Sequence, residues 1–227
     1  MNTPSFSSSP AAQIYRSVID VTRLDLCGSL PDRQMPVHLS EDAQVPFLGF
    51  AGPNYRPGGV LLLAINPGGG TEKYIKRPPQ DAELIPYILA FMASEPPVVE
   101  SSFTAMSSSY MKQAKTWNLW GIVQPVLDAC SKGPDEVAFA NVFPFRTYKD
   151  HKPHSVPLRN AIIRITKPLV AGLGPSTIVV LGKKAGDALH AHSLALGRCF
   201  IVPRTNGDRY VSAEAMAVLA ALRQHAA

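Results

Sequence analysis

Val60 to Ile65 is an unbroken apolar run that stops abruptly at Asn66-Pro67 and opens into Gly68-Gly69-Gly70. A short apolar run bounded by turn formers suits a strand buried inside a sheet, and strands of this kind sit in α/β proteins with helices on both faces. Pro67 fixes its own φ and biases Asn66 toward an extended backbone. The glycines let the main chain approach a ligand or take φ > 0, which residues with a Cβ resist. In open α/β sheets, ligands bind beyond the carboxyl ends of the strands. Asn66 therefore stands on a rim suited to holding something.

The rest of the chain fits that frame. Ile14, Val18, Val21 and Leu24 recur at helical spacing. Pro31 to Pro57 reads as irregular with short extended pieces, and Asp81 to Ala93 as a helix kinked or started late by Pro86. Glu95 to Ser109, with two adjacent prolines and many serines, reads as a loop or flap. Met111 to Cys130 reads as a helical region holding both tryptophans. Strands are then expected at Val137–Val142, Thr177–Leu181 and Cys199–Val202. Helices are expected at Leu158–Leu173, Lys184–Leu196 and Ala213–Arg223. Such alternation predicts a three-layer α/β/α sandwich around a mostly parallel sheet of about four strands.

Length allows one full core, so a single domain is expected over residues 13–227 after a short disordered arm, residues 1–12. Hydrophobic residues at 46% against 17% charged exclude a disordered chain. A net charge of +5 permits a polyanionic partner without requiring one. No apolar run approaches the roughly 18 residues that cross a bilayer, so no membrane partner is expected. The start, MNTPSFSSSPAAQ, lacks the basic and apolar regions of a secretory signal. Cys27, Cys130 and Cys199 are odd in number and widely separated, which points to a reduced, cytoplasmic setting and away from a cysteine-held iron–sulfur site.

Three loops at the expected carboxyl edge combine amide or charged side chains with an aromatic and a turn former. They are Asn66 to Tyr74, Asn141 to Thr147 (running on into Lys149, His151, Lys152 and His154), and Pro203 to Tyr210. Converging, they offer hydrogen bonds for a planar polar ligand, aromatic faces to stack on it and cations for phosphates. The pairs His151/His154 and His190/His192 are poor metal ligands: the first adjoins two lysines and the second points in different directions on a helix. Glu72 and Asp208 are the only carboxylates in the three loops. The sequence has neither a Gly-x-Ser-x-Gly elbow nor a P-loop lysine motif.

Ala64-Ile65-Asn66-Pro67-Gly68 resembles the first motif of the uracil-DNA glycosylase superfamily, Gly-x-Asn-Pro-Gly in the mismatch-specific and single-strand-selective branches. Ala140 to Arg146 is similar to the Thr-Asn to Arg-Pro segment of that superfamily's iron–sulfur branches. Val180-Leu181-Gly182 with Ala185 and Leu189 resembles its strand-then-helix pattern. The order holds over roughly Val60 to Ala220. The second motif, His-Pro-Ser, is not matched, since that position reads Val202-Pro203-Arg204-Thr205.

The resemblance implies a DNA glycosylase that hydrolyses the N-glycosidic bond of uracil or a related damaged base, as a monomer, without metal or organic cofactor. Asn66 would orient the attacking water, and Arg204 would take over the role of the missing histidine or grip phosphates. Asn141 would bond the Watson–Crick edge of a flipped base, with Gly68 and Gly69 beside it and Tyr74 or Phe145 stacked on it. Arg146, Lys149, Lys152 and Arg209 would contact DNA, with single- and double-stranded forms both open. The residues also allow plainer roles. Asn66 suits a turn, Asn141 could tie two loops together, Tyr74 and Phe145 could be packing, and Arg204 and Arg209 solvated charges. The missing histidine favours a weak or inactive relative that binds nucleic acid or a free base. A nucleoside-processing enzyme is favoured if the segment around Glu95 to Ser109 closes the pocket.

Overall fold

The computed structural model describes residues 9–28, 45–68, 79–147, 152–191, 198–204 and 211–226. Five strands form one sheet: β1 (Gly49–Ala51), β2 (Val60–Ala64), β3 (Val137–Asn141), β4 (Thr177–Leu181) and β5 (Arg198–Val202). Their order is β1-β3-β2-β4-β5. The β3-β2-β4-β5 pairs are parallel, and only the edge strand β1 runs antiparallel, against β3. The sheet is thus one strand wider than the expected four. The added strand comes from the Pro31 to Pro57 segment, where three residues are too few to show a period.

Nine α-helices surround the sheet among the described residues: α1 (Pro10–Ile19), α2 (Arg23–Cys27), α3 (Pro79–Met92), α4 (Val99–Ala114), α5 (Trp120–Ala129), α6 (Ser155–Ala161), α7 (Lys167–Leu173), α8 (Lys183–Ala191) and α9 (Ala213–Ala226). A π-helical turn, Ile162–Thr166, joins α6 to α7. The first helix starts at Pro10, so three residues expected in the arm are helical. Ser9 caps it through the Ala12 N–H. β2 is buried along its whole length, as its apolar composition requires. On one face Leu62, Phe139 and Val137 meet Trp120, Val123 and Leu127 of α5. On the other, Ile201 packs so closely on Gly186 of α8 that a Cβ there would lie 2.5 Å from it. Helices therefore cover both faces.

The expected loop at Glu95 to Ser109 is instead most of α4. Phe103, Met106, Tyr110 and Ala114 recur every three or four residues and are all buried, giving the helix an apolar stripe. Of the serines that argued against it, Ser101 is accommodated locally, its hydroxyl donating to the Val98 carbonyl. The helical region expected over Met111 to Cys130 is interrupted at 115–119, where Trp117 turns in to pack 5.6 Å from the Phe139 ring. No helix among the described residues is long and apolar enough to cross a membrane.

Candidate functional site

Register aligns the carboxyl ends of four strands. Ala64 pairs with both Asn141 and Leu181, and Leu181 pairs with Val202. The chain leaves β2 toward β3 on one side and leaves β4 toward β5 on the other. The β2/β4 boundary is therefore the point where the connections diverge, the usual crevice for a ligand in such sheets. Asn66 lies on its β2 side and Gly182 on its β4 side.

The β2 and β3 loops remain joined past the sheet. Val142 and Phe143 donate their N–H groups to the carbonyls of Ala64 and Ile65, at 2.8 and 2.9 Å. Asn66 is half-buried, and its Nδ2 donates to Thr147 Oγ1 at 3.1 Å and to the Pro67 carbonyl at 3.2 Å. Holding the N–H side of a planar amide fixes where its oxygen points, which is what positioning a water or a polar ligand requires. Gly68 is exposed, with open space where a Cβ would be.

Asn141 is only 5% exposed. Its Nδ2 donates to the Phe47 carbonyl at 2.7 Å, and its main-chain N–H to the Leu48 carbonyl at 2.8 Å. It ties the segment preceding β1 to the sheet edge, one of the two roles its sequence position left open. Phe145 is fully buried, edge-on to Phe143 with ring centroids 5.8 Å apart. It offers no face to a base, which corrects the stacking role expected for it. Arg146 is corrected in the same sense. Its Nη2 lies 2.5 Å from Asp81 Oδ1, the two side chains being 17% and 8% exposed, and its guanidinium sits 4.7 Å above the Phe47 ring. A cation neutralised under the surface is poorly placed to meet phosphate.

The other half of the edge differs in character. Gly182 closes β4 with φ +113°, a conformation that favours glycine, and its N–H donates to the Val202 carbonyl at 2.8 Å. The Arg204 stem packs against it, with Cδ 3.5 Å from where a Cβ would stand. Lys183 pairs with Glu214 at 2.9 Å. Burial, then Lys184 and Arg204, push the Lys152 ammonium below its ordinary pKa. Arg204 thus belongs with Lys152 and Lys184, two strands away from Asn66, roughly 10 Å at ordinary strand spacing.

Tyr74, Gly69, Lys149 and Arg209 lie outside the described residues, as do Glu72, Asp208, His151 and His192. Among the described residues no group of three or more His, Cys, Asp or Glu could hold a metal ion. Sequence reading gave no role to Thr147, Asp81 or Lys184. The first two pair across 81 and 65 residues, and nothing local marks such contacts. Lys184 was legible in principle, because it sits just past the strand–glycine boundary on the shared edge. No protein-family model matches the chain, and no curated protein shows significant similarity to it.

Proposed function

We propose that the protein is a DNA glycosylase resembling the uracil-DNA glycosylases, which hydrolyses the N-glycosidic bond of uracil or a related damaged base. The observation that carries this reading is Asn66, an amide anchored by Thr147 at the carboxyl end of a fully buried strand, beside the divergence point of the sheet. In this reading the Asn66 oxygen orients water toward the sugar, and the barrier falls mainly through stabilisation of the departing base anion, since an amide is a weak base. The cations across the crevice hold the strand, as a monomer and without cofactor, and its three unpaired thiols suit a reduced, cytoplasmic setting.

One observation favours a second reading, a relative that binds without turnover. Arg204 stands where the resembling family carries histidine, and the buried carboxylate Asp81 is already engaged by Arg146. The nucleoside-enzyme reading loses its stated support, because Val99 to Ala114 is a packed helix rather than a closing flap. Oligonucleotides carrying single uracil, hypoxanthine, xanthine or mismatched thymine, followed by alkaline cleavage, decide between the first two. Strand scission at one lesion is expected, and intact strands throughout would leave binding alone.

A further inference from the structure

We infer that Thr147 is a positioning residue. With the Pro67 carbonyl it engages both amide hydrogens of Asn66, so the group that Asn66 takes up is a hydrogen-bond donor. The inference deepens the reading of Asn66 given above and rests on it. Asn66 Nδ2 donates to Thr147 Oγ1 at 3.1 Å and to the Pro67 carbonyl at 3.2 Å. A carbonyl only accepts, so the end of the amide beside Pro67 has to be the nitrogen. Thr147 alone would leave that choice open, because a hydroxyl can also donate. Together the two acceptors match the two hydrogens on the nitrogen. Oδ1 is then the pole left for a ligand, on a residue half-buried rather than enclosed.

Thr147 is built to hold that orientation. It is buried, and the stretch that carries it is fastened along its length. Val142 and Phe143 donate to the Ala64 and Ile65 carbonyls, Phe143 and Phe145 are fully buried, and Arg146 is tied to Asp81. A side chain locked by such a neighbour keeps its aim before any ligand arrives. Asn141 gives the contrast. Its Nδ2 also donates to a carbonyl, but the residue is enclosed and serves as a tie. A phosphate oxygen or a base carbonyl only accepts, so neither suits Asn66 Oδ1. A water, a hydroxyl or a ring N–H does, and a water donating there turns its lone pairs away from the amide. In the glycosylase reading, that water is the one at the sugar.

The test joins proton–nitrogen NMR of the full chain to single-turnover excision. The Asn66 side-chain signals are identified by their loss in Asn66→Ala. In the wild type both amide hydrogens should exchange with solvent more slowly than those of free asparagine. Thr147→Val keeps the shape, removes the acceptor and should speed that exchange about tenfold; Thr147→Ser keeps the hydroxyl and should restore it. On whichever lesion the wild type cleaves, Thr147→Val should slow excision about tenfold with oligonucleotide affinity unchanged. Thr147→Ser should recover most of that rate. In an Asn66→Ala background, Thr147→Val should slow excision no further, because it acts through that amide. Wild-type exchange as fast as in free asparagine would overturn the inference, and that measurement needs no variant to fold. So would unchanged exchange in Thr147→Val, a further loss of rate in the Asn66→Ala background, or a loss that Thr147→Ser does not recover. Slow exchange released by Thr147→Val, in a protein that excises nothing, would end the glycosylase reading and still support the held, acceptor-only amide.

Discussion

The two halves of the carboxyl edge are built on opposite principles. On the β3 side, polar side chains are engaged by partners within the protein: Asn141 by the Phe47 carbonyl, Arg146 by Asp81, Asn66 by Thr147. On the β4/β5 side, exposed Lys152 has Lys184 and Arg204 near enough to push its ammonium below the ordinary pKa. Burial explains the difference. A polar group removed from water must find its partner within the protein, whereas one left at the surface can wait for a ligand. Asn141 and Arg146 on the first side therefore do structural work, whereas Asn66 stands half-buried at its boundary.

The ion pair gives the largest expected effect. Asp81→Asn leaves the Arg146 charge enclosed without its partner and should cost about 3 kcal/mol or more in urea unfolding. Replacing both, Asp81→Asn with Arg146→Met, should recover much of that loss. A cost under about 1 kcal/mol for Asp81→Asn would return Arg146 to the residues available for DNA. Asn141→Ala comes next. It orphans the Phe47 carbonyl and should cost about 1–3 kcal/mol, with base preference in any excision assay unaltered. Relaxed base preference at full stability would mean that the amide reads a base after all. Smallest is Lys152→Gln, which removes a repelled surface charge and should move stability by no more than about 0.5 kcal/mol, upward if at all. A substantial loss would show that the cluster is satisfied within the protein and would erase the contrast between the halves.

The sheet was legible because its strands are apolar throughout and separated by helical periods. Val60, Val137 and Thr177 begin parallel strands within a residue or two of where the pattern puts them. α4 was hidden by composition: serine and proline weigh against a helix locally, but burial of Phe103, Met106 and Tyr110 outweighs that propensity. The convergence of the Asn66 and Asn141 loops on one edge followed from alternation alone. The partners did not. Asn141 finds Phe47 across 94 residues, and Arg146 finds Asp81 across 65. Such pairings are settled by tertiary packing, so a loop that looks like a binding surface in sequence can be an enclosed joint in the fold.

The central claim is that Asn66 is the chemical residue of this edge and the cations across the crevice are its grip. Single-turnover excision by the wild type and by Asn66→Ala, on whichever lesion the wild type cleaves, tests it most directly. Loss of a positioned water or electrostatic contact typically costs about 10² to 10³ in rate. Asn66→Ala should slow excision by that factor while binding the oligonucleotide as tightly as the wild type. Excision at the wild-type rate by Asn66→Ala, or none by the wild type on any lesion, would contradict it.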